Sequence, residues 1–184
     1  MKYNKKDSAV ILVDFLDEFI YGNKNEVLLS KKRSEPLIKN TLKLVEKAKE
    51  KKVKIIHVHC LHEKNDVIFR ITGVHAIKGR KKTRIIKELD GLEDFIVHKK
   101  TYDGFFKTRL EKLLKKLKVK NLFFAGIQSD CCVLAIAFSA LFLGFNVFIV
   151  KGCVETRTKK RQEVIMERLN KLTGEVISLK QIKW

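Results

Sequence analysis

The sequence predicts an α/β protein with three layers, α/β/α: a mostly parallel, six-stranded, Rossmann-like sheet with helices on both faces, in one domain spanning residues 1–184. Three observations carry this. Apolar runs alternate with helix-period segments along the chain, the connections between them are short, and no proline- or glycine-rich linker interrupts the pattern. Runs that are apolar at successive positions mark strands covered on both faces, as parallel strands are. Strand and helix in alternation imply crossovers of one hand and helices packed on both sides of one sheet.

Taken in order, Ser8 to Val13 (SAVILV) reads as a doubly buried strand that ends at a carboxylate, Asp14. Glu35 to Lys51 carries Leu37, Ile38, Thr41, Leu42, Val45 and Ala48 at helical spacing, with Ser34 as N-cap and Pro36 in the first turn. Val53 to Cys60 is the second strand, followed by an irregular stretch with His62, Gly73, His75 and Gly79, and then a short helix over Lys81 to Leu89. Phe95 to His98 is the third strand and runs into Lys99. Phe105 to Leu117 is predicted helical, with Leu110, Leu113, Leu114 and Leu117 on one side. The fourth strand is Asn121 to Ala125, and Cys132 to Leu143 is a largely apolar, buried helix. Asn146 to Val150 is the fifth strand, Lys159 to Leu172 a basic amphipathic helix, and Glu175 to Leu179 the sixth strand.

Composition narrows the function classes. The 184 residues are 45% hydrophobic, enough for a substantial core and against wholesale disorder. The N-terminal apolar run meets Asp14 after six residues, too soon for a signal segment or a membrane span, so a cytoplasmic protein with no membrane partner is expected. In that compartment Cys60, Cys131, Cys132 and Cys153 are expected to be thiols. The formal charge is +19, but only eight of the 40 basic residues are Arg, and the basic residues are spread through helices with Glu among them. Arg is the residue favoured for bidentate phosphate recognition. The charge is therefore read as a solvated surface, with a nucleic-acid-binding module kept as an alternative.

In an open parallel sheet, ligands bind outside the carboxyl ends of the strands. Asp14 falls there after the first strand, Cys60 and His62 after the second, Lys99 after the third, and the turn GIQSDCCV (126–133) after the fourth. A thiol at the start of a helix faces unpaired N–H groups and the positive end of the helix dipole, which favours the thiolate. An acid to take the proton and an amine to stabilise the anion complete a cysteine nucleophile, and Asp14 and Lys99 stand at neighbouring strand ends. Each also has a structural reading: a carboxylate capping loop amides, one lysine among many, and a helix start that happens to hold two cysteines.

These residues resemble the isochorismatase-like cysteine hydrolases, a family that includes nicotinamidases. AVILVDFLDEF is similar to the family's acidic motif, GVHAIKGRKKTRIIKEL to its His-containing segment, VHKKTYDGFFKTRLEKLL to its lysine motif, and GIQSDCCVLAIAFSALFLGFNVFIVKGCVETR to its nucleophile segment. The resemblance implies the family fold and a triad of Asp14 as general base, Lys99 and the nucleophile Cys132, with Cys131 a neighbour. It further implies a cis peptide between Ile127 and Gln128, an oxyanion site made by the backbone N–H groups of Gln128 and Cys132, and a substrate pocket lined by Phe19 and Phe105. The expected activity is hydrolysis of a small amide, nicotinamide first, through a Cys thioester. Homo-oligomers are common in the family.

The departures from the family pattern are specific. Leu16 stands where many relatives have Gln, Thr72 where nicotinamidases often carry an aromatic, and Gly152 where Asp is frequent. The Asp-x-His pair and later His that hold a metal in nicotinamidases correspond to Cys60, His62 and His75. Two His and one thiolate suit zinc with an open position; a metal-free site with loop histidines is the alternative. A vinyl ether hydrolase of the isochorismatase type, in which the cysteine need not attack, is the alternative reaction.

Overall fold

The structure is a computed structural model that describes residues 3–184; the first two residues of the N-terminal reading lie outside it. Six strands form one sheet: β1 (Ser8–Val13), β2 (Lys54–Cys60), β3 (Phe95–Lys99), β4 (Asn121–Ile127), β5 (Asn146–Glu155) and β6 (Glu175–Ile177). Their order is β3-β2-β1-β4-β5-β6, and every neighbouring pair is parallel. The chain builds outward from β1 to β2 and β3, crosses back to β4 on the other side of β1, and builds outward again. The connections leaving β1 and β4 therefore diverge, and a crevice opens between their carboxyl ends.

Around the sheet lie α1 (Asp17–Tyr21), α2 (Lys31–Glu50), α3 (Phe69–Thr72), α4 (Leu110–Lys116), α5 (Cys132–Phe142) and α6 (Lys159–Leu172). Every residue of β1 is buried, and its side chains alternate between two cores. Val10 and Leu12 face Leu37, Leu44, Val45 and Ala48 of α2. Ala9, Ile11 and Val13 face Leu110 and Leu114 of α4, Val133, Ile136 and Ala140 of α5, and Leu169 of α6. Burial on both faces explains why β1 reads as an unbroken apolar run.

Several boundaries differ from the sequence reading. Helix α2 starts at Lys31, so Ser34 is buried inside it and Pro36 sits in its second turn. The hydrogen bond that Pro36 cannot make would have gone to the carbonyl of Lys32, an exposed residue whose carbonyl water can satisfy. The helix predicted over Lys81 to Leu89 is only a 3-10 turn, Lys81–Thr83. The one predicted from Phe105 begins at Leu110: Phe105 N–H donates to Asp103 Oδ1, and Thr108 Oγ1 accepts from Leu110 N–H, so Asp103 and Thr108 hold the approach as a turn. Strand β5 runs on to Glu155, five residues past the predicted end, with a register shift opposite Phe124 to Gly126. Helices α1 and α3 were not foreseen, being shorter than a helical period can reveal.

Candidate active site

The register of the central strands assembles the site. Val13 pairs with Gly126 across β1 and β4, so the residues just past them, Asp14 and the Ile127–Gln128 peptide, emerge together at the crevice. Gly126 is required there: a Cβ at this position would lie 2.5 Å from both the Cβ and the carbonyl oxygen of Val13. The Ile127–Gln128 peptide is cis. Asp14 has a left-handed backbone (φ 56°), fixed by its N–H bond to the Val58 carbonyl and by the Leu16 N–H on its own carbonyl.

Lys99 is the last residue of β3 rather than a loop residue, and its side chain is almost wholly buried. Its Nζ lies 2.9 Å from Asp14 Oδ2, 3.0 Å from Cys60 Sγ and 3.3 Å from Cys132 Sγ, and donates to the Thr101 carbonyl at 3.2 Å. Asp14 Oδ1 accepts from the Cys60 N–H at 2.8 Å. The acid, the amine and Cys132 thus meet, with Cys60 as a fourth member that strand-end reasoning placed nearby but gave no contact with Lys99.

Burial opposes ionisation of Asp14, but the Lys99 ammonium and the hydrogen bonds from Cys132 and Cys60 outweigh it and hold the carboxyl below its ordinary range. Burial likewise opposes the Lys99 charge and is outweighed by Asp14, so Lys99 stays protonated. The Cys132 thiol is held well above the ordinary thiol range, first by its hydrogen bond to Cys131, then by burial and the Asp14 charge. Cys131, accepting that hydrogen bond, is lowered. Cys132 therefore rests as a thiol beside an ionised carboxylate. Neither the Gln128 nor the Cys132 backbone N–H donates to another described residue.

A cavity of about 700 Å³ opens over this cluster. Asp14, Cys60, Cys131, Cys132, Ile127 and Gln128 line its floor; Glu18, Phe19 and Leu28 come from the β1 side, residues 71–75 from the segment after β2, and Arg157 and Arg161 from beyond β5. Phe19 is therefore at the cavity. Phe105 is not: its ring is stacked against Phe145 in the core beneath, 5.9 Å between centroids. Tyr102 lines the cavity instead, three residues nearer the end of β3. Glu18, Tyr102, Arg157 and Arg161 were missed; Glu18 accepts from the Ala76 N–H and ties the wall to α1.

Cys60, His62 and His75 have ligand atoms within 4.8 Å of one another. His62 is fully buried, with Nδ1 held by Asp66 Oδ2 at 3.0 Å and Nε2 without a partner. His75 Nδ1 sits 2.8 Å from the Gly73 carbonyl. In each ring Nδ1 is fixed by an oxygen, while His62 Nε2 has no partner and His75 also hydrogen-bonds to Cys60; fixing one nitrogen in this way is what orients metal-bound imidazoles. Cys60 is pushed up to about 12 by its hydrogen bond with Cys132, by burial and by Asp14. The residues fit a soft divalent ion, given that the ion displaces the thiol proton.

The doubly wound parallel sheet, with a thiol, an acid and an amine at its switch point, defines a class of α/β protein with a buried catalytic-type cluster. Within it, the chain belongs to the isochorismatase domain family of hydrolases, which matches residues 8–181. An uncharacterized isochorismatase family protein of Bacillus subtilis is 25% identical over 180 residues, covering 97% of this chain and 98% of that protein. The crystal structure of an isochorismatase-like hydrolase from Alkaliphilus metalliredigens superposes with a TM-score of 0.88 at 26% identity, over 95% of this chain and 96% of that one. A pyrazinamidase of Pyrococcus horikoshii, solved in complex with zinc, has the same fold, with a TM-score of 0.83 at 23% identity over 94% of this chain and 99% of that one. Among the described residues no helix is long and apolar enough to cross a membrane.

Proposed function

We propose that this chain is a cysteine-dependent, nicotinamidase-like hydrolase of a small amide, with Asp14, Lys99 and Cys132 as its triad. The observation that carries this reading is the buried Lys99 ammonium, within 3.3 Å of both the Asp14 carboxylate and the Cys132 sulfur at the cavity floor. As a substrate carbonyl enters, Asp14 takes the S–H proton and the sulfur bonds to the carbonyl carbon. The free N–H groups of Gln128 and Cys132 receive the oxyanion. Asp14 then gives its proton to the leaving nitrogen as the C–N bond breaks, leaving a thioester. Water, giving up a proton to Asp14, adds to the thioester, the C–S bond breaks, and the proton returns to sulfur. A thiol that rests protonated beside an ionised acid supports this order, and Lys99 keeps both the carboxylate and the transient thiolate charged.

Cys60, His62 and His75 would hold zinc. The ion would supply a Lewis acid on the β2 side of the cavity, able to orient a polar group of the substrate. Part of the basic surface is self-compensated: Lys31, Lys115, Lys159 and Lys171 each pair with a Glu one helical turn away, as on a solvated helix face.

The test is ammonia release from a panel of primary amides, with and without added zinc. Cys132→Ala is expected to lose activity on the order of 10³-fold or more, and Cys131→Ala far less. On a vinyl ether substrate, activity that survives Cys132→Ala and is lost in Asp14→Asn would instead favour the vinyl ether reaction, and a wild type inert on the whole amide panel would remove the amidase reading.

A further inference from the structure

Three of the four cysteines converge on the cavity, and the proposed turnover uses only Cys132. Cys60, Cys131 and Cys132 line its floor as free thiols, while Cys153 is buried apart in the core on the α2 side. Cys60 ends β2 and Cys132 begins α5 after β4, so β1 separates the strands that deliver them. Their side chains nevertheless meet. The two sulfurs and an Asp14 carboxylate oxygen lie within 4.8 Å of one another, the thiols share a hydrogen bond, and both sulfurs touch the Lys99 ammonium, at 3.0 and 3.3 Å.

Packing does not call for this pair. A buried cysteine behaves as a small apolar residue, yet Cys60 is set among polar groups: its N–H donates to Asp14, and its sulfur meets the Lys99 ammonium and hydrogen-bonds to His75. Service as a metal ligand would use Cys60 and would not explain its contact with Cys132. That contact is what a resolving thiol needs, a second sulfur within side-chain reach of a nucleophilic one, at a cavity open to small oxidants. Closing to a bond length of about 2 Å places the movement on the last residue of a strand and the first of a helix. Cys131 offers no equivalent. It is adjacent to Cys132 in sequence, and a bridge between neighbours closes a small, strained ring around their shared peptide bond.

We propose that Cys60 is a resolving thiol, and that Cys60 and Cys132 form a reversible disulfide when a hydroperoxide enters the cavity. In the first step the Cys132 sulfur bonds to one peroxide oxygen as the O–O bond breaks. Asp14 takes the S–H proton and passes it to the departing oxygen, which leaves as water or an alcohol, and Cys132 becomes a sulfenic acid. In the second step the Cys60 sulfur bonds to the Cys132 sulfur, the S–O bond breaks, and the Cys60 proton leaves with the hydroxyl as water. Both thiols are oxidised and one hydroperoxide is reduced. A small dithiol restores the thiols by exchange. The nucleophile is thereby held in a recoverable form instead of going on to sulfinic acid. Formation of the bond does not depend on the amidase reading; only its effect on turnover does.

The experiment is a thiol map of the full chain after hydrogen peroxide, run with and without a chelator, because a metal on Cys60 would block the second step. Free thiols are alkylated and the digest is read by mass spectrometry. Wild type should give peptides joined through Cys60 and Cys132 in one condition or both, and dithiothreitol should return both thiols. In Cys60→Ser the same treatment should carry Cys132 to sulfinic acid, with at least about tenfold less of it recovered by dithiothreitol. Cys131→Ser, a second variant that keeps the test open if Cys60→Ser does not fold, should still form the bond. With an amide that is turned over, peroxide should remove wild-type activity and dithiothreitol restore most of it.

The inference is overturned if Cys132 is linked to Cys131, if Cys132 reaches sulfinic acid in wild type while Cys60 stays a free thiol, if neither is oxidised, if the bond is lost in Cys131→Ser, or if Cys60→Ser recovers as well as wild type. A bond that forms in a protein inert on the amide panel upholds the inference and removes the amidase reading alone.

Discussion

The floor of the cavity and its outer wall are built on different principles. The floor, made of the ends of β1, β2, β3 and β4, is buried and over-determined: Asp14 and Lys99 are each about 1% exposed and held by several partners apiece. The wall, residues 67–75, is an irregular segment with one short helix, and it leaves large apolar side chains in water: Val67 at 73%, Ile71 at 84% and Val74 at 59% exposure. A reacting cluster needs fixed distances, and parallel strands in register supply them. A wall that meets the variable part of a substrate needs neither burial nor register.

The sharpest way to break this contrast is Lys99→Met. The substitution keeps the bulk of the side chain but leaves the Asp14 carboxylate buried without its counter-ion. The floor should lose about 3–5 kcal/mol of stability and essentially all activity. Adding Asp14→Asn should restore most of the stability and none of the activity. Chemical denaturation checks both variants, and a loss under about 1 kcal/mol in Lys99→Met would mean the pair is not the clamp described.

The same contrast governs what could be read from the sequence. The floor was legible because burial on both faces writes itself as unbroken apolar runs, and Asp14, Lys99 and Cys132 follow directly at or inside strand ends. Even there, Lys99 proved to be within β3, since a lysine looks like a strand terminator until it has a buried acid to meet. The wall was not legible. A four-residue helix at Phe69 has no period to detect, and the turn that puts Phe105 in the core while Tyr102 lines the cavity is held by backbone N–H groups donating to the Asp103 and Thr108 side chains. Arg157 did leave a signal, four cations crowding a helix start, but among 40 basic residues it was not distinguishable without the cavity beside it.

A second measurement tests how tightly the strands under the floor are sealed. His57 and His59 on β2 are buried, and both ring nitrogens of His57 and Nδ1 of His59 lack partners. Burial, followed by the neighbouring His98, lowers His59 to about 4, and burial together with His59 holds His57 well below its ordinary range. In the unfolded chain both take up protons near pH 6.5, while the folded chain does not until far lower. The unfolded state therefore binds more protons in this window, and stability must fall as pH drops from about 6.5 towards 4, by about 3 kcal/mol from His59 alone. Urea unfolding at pH 7.5, 6 and 5 should show this decline, shallower in His59→Phe. A flat profile from pH 7.5 to 5 would mean the strand interior admits water or protons.

The smallest expected effect belongs to the wall, and it is the one that separates the two regions most cleanly. Ile71 lines the cavity yet is 84% exposed, so Ile71→Ser removes little packing. Its stability should stay within about 0.5 kcal/mol of wild type. If the wall meets substrate, KM should nevertheless change several-fold while kcat holds, because Cys132, Asp14 and Lys99 make no contact through this segment. A stability loss above about 1 kcal/mol would show that the wall is packed in solution, and the division between a rigid floor and a permissive wall would fail. An unchanged KM with unchanged stability would leave the wall exposed but remove its part in recognition, confining substrate selection to the floor and the arginine side.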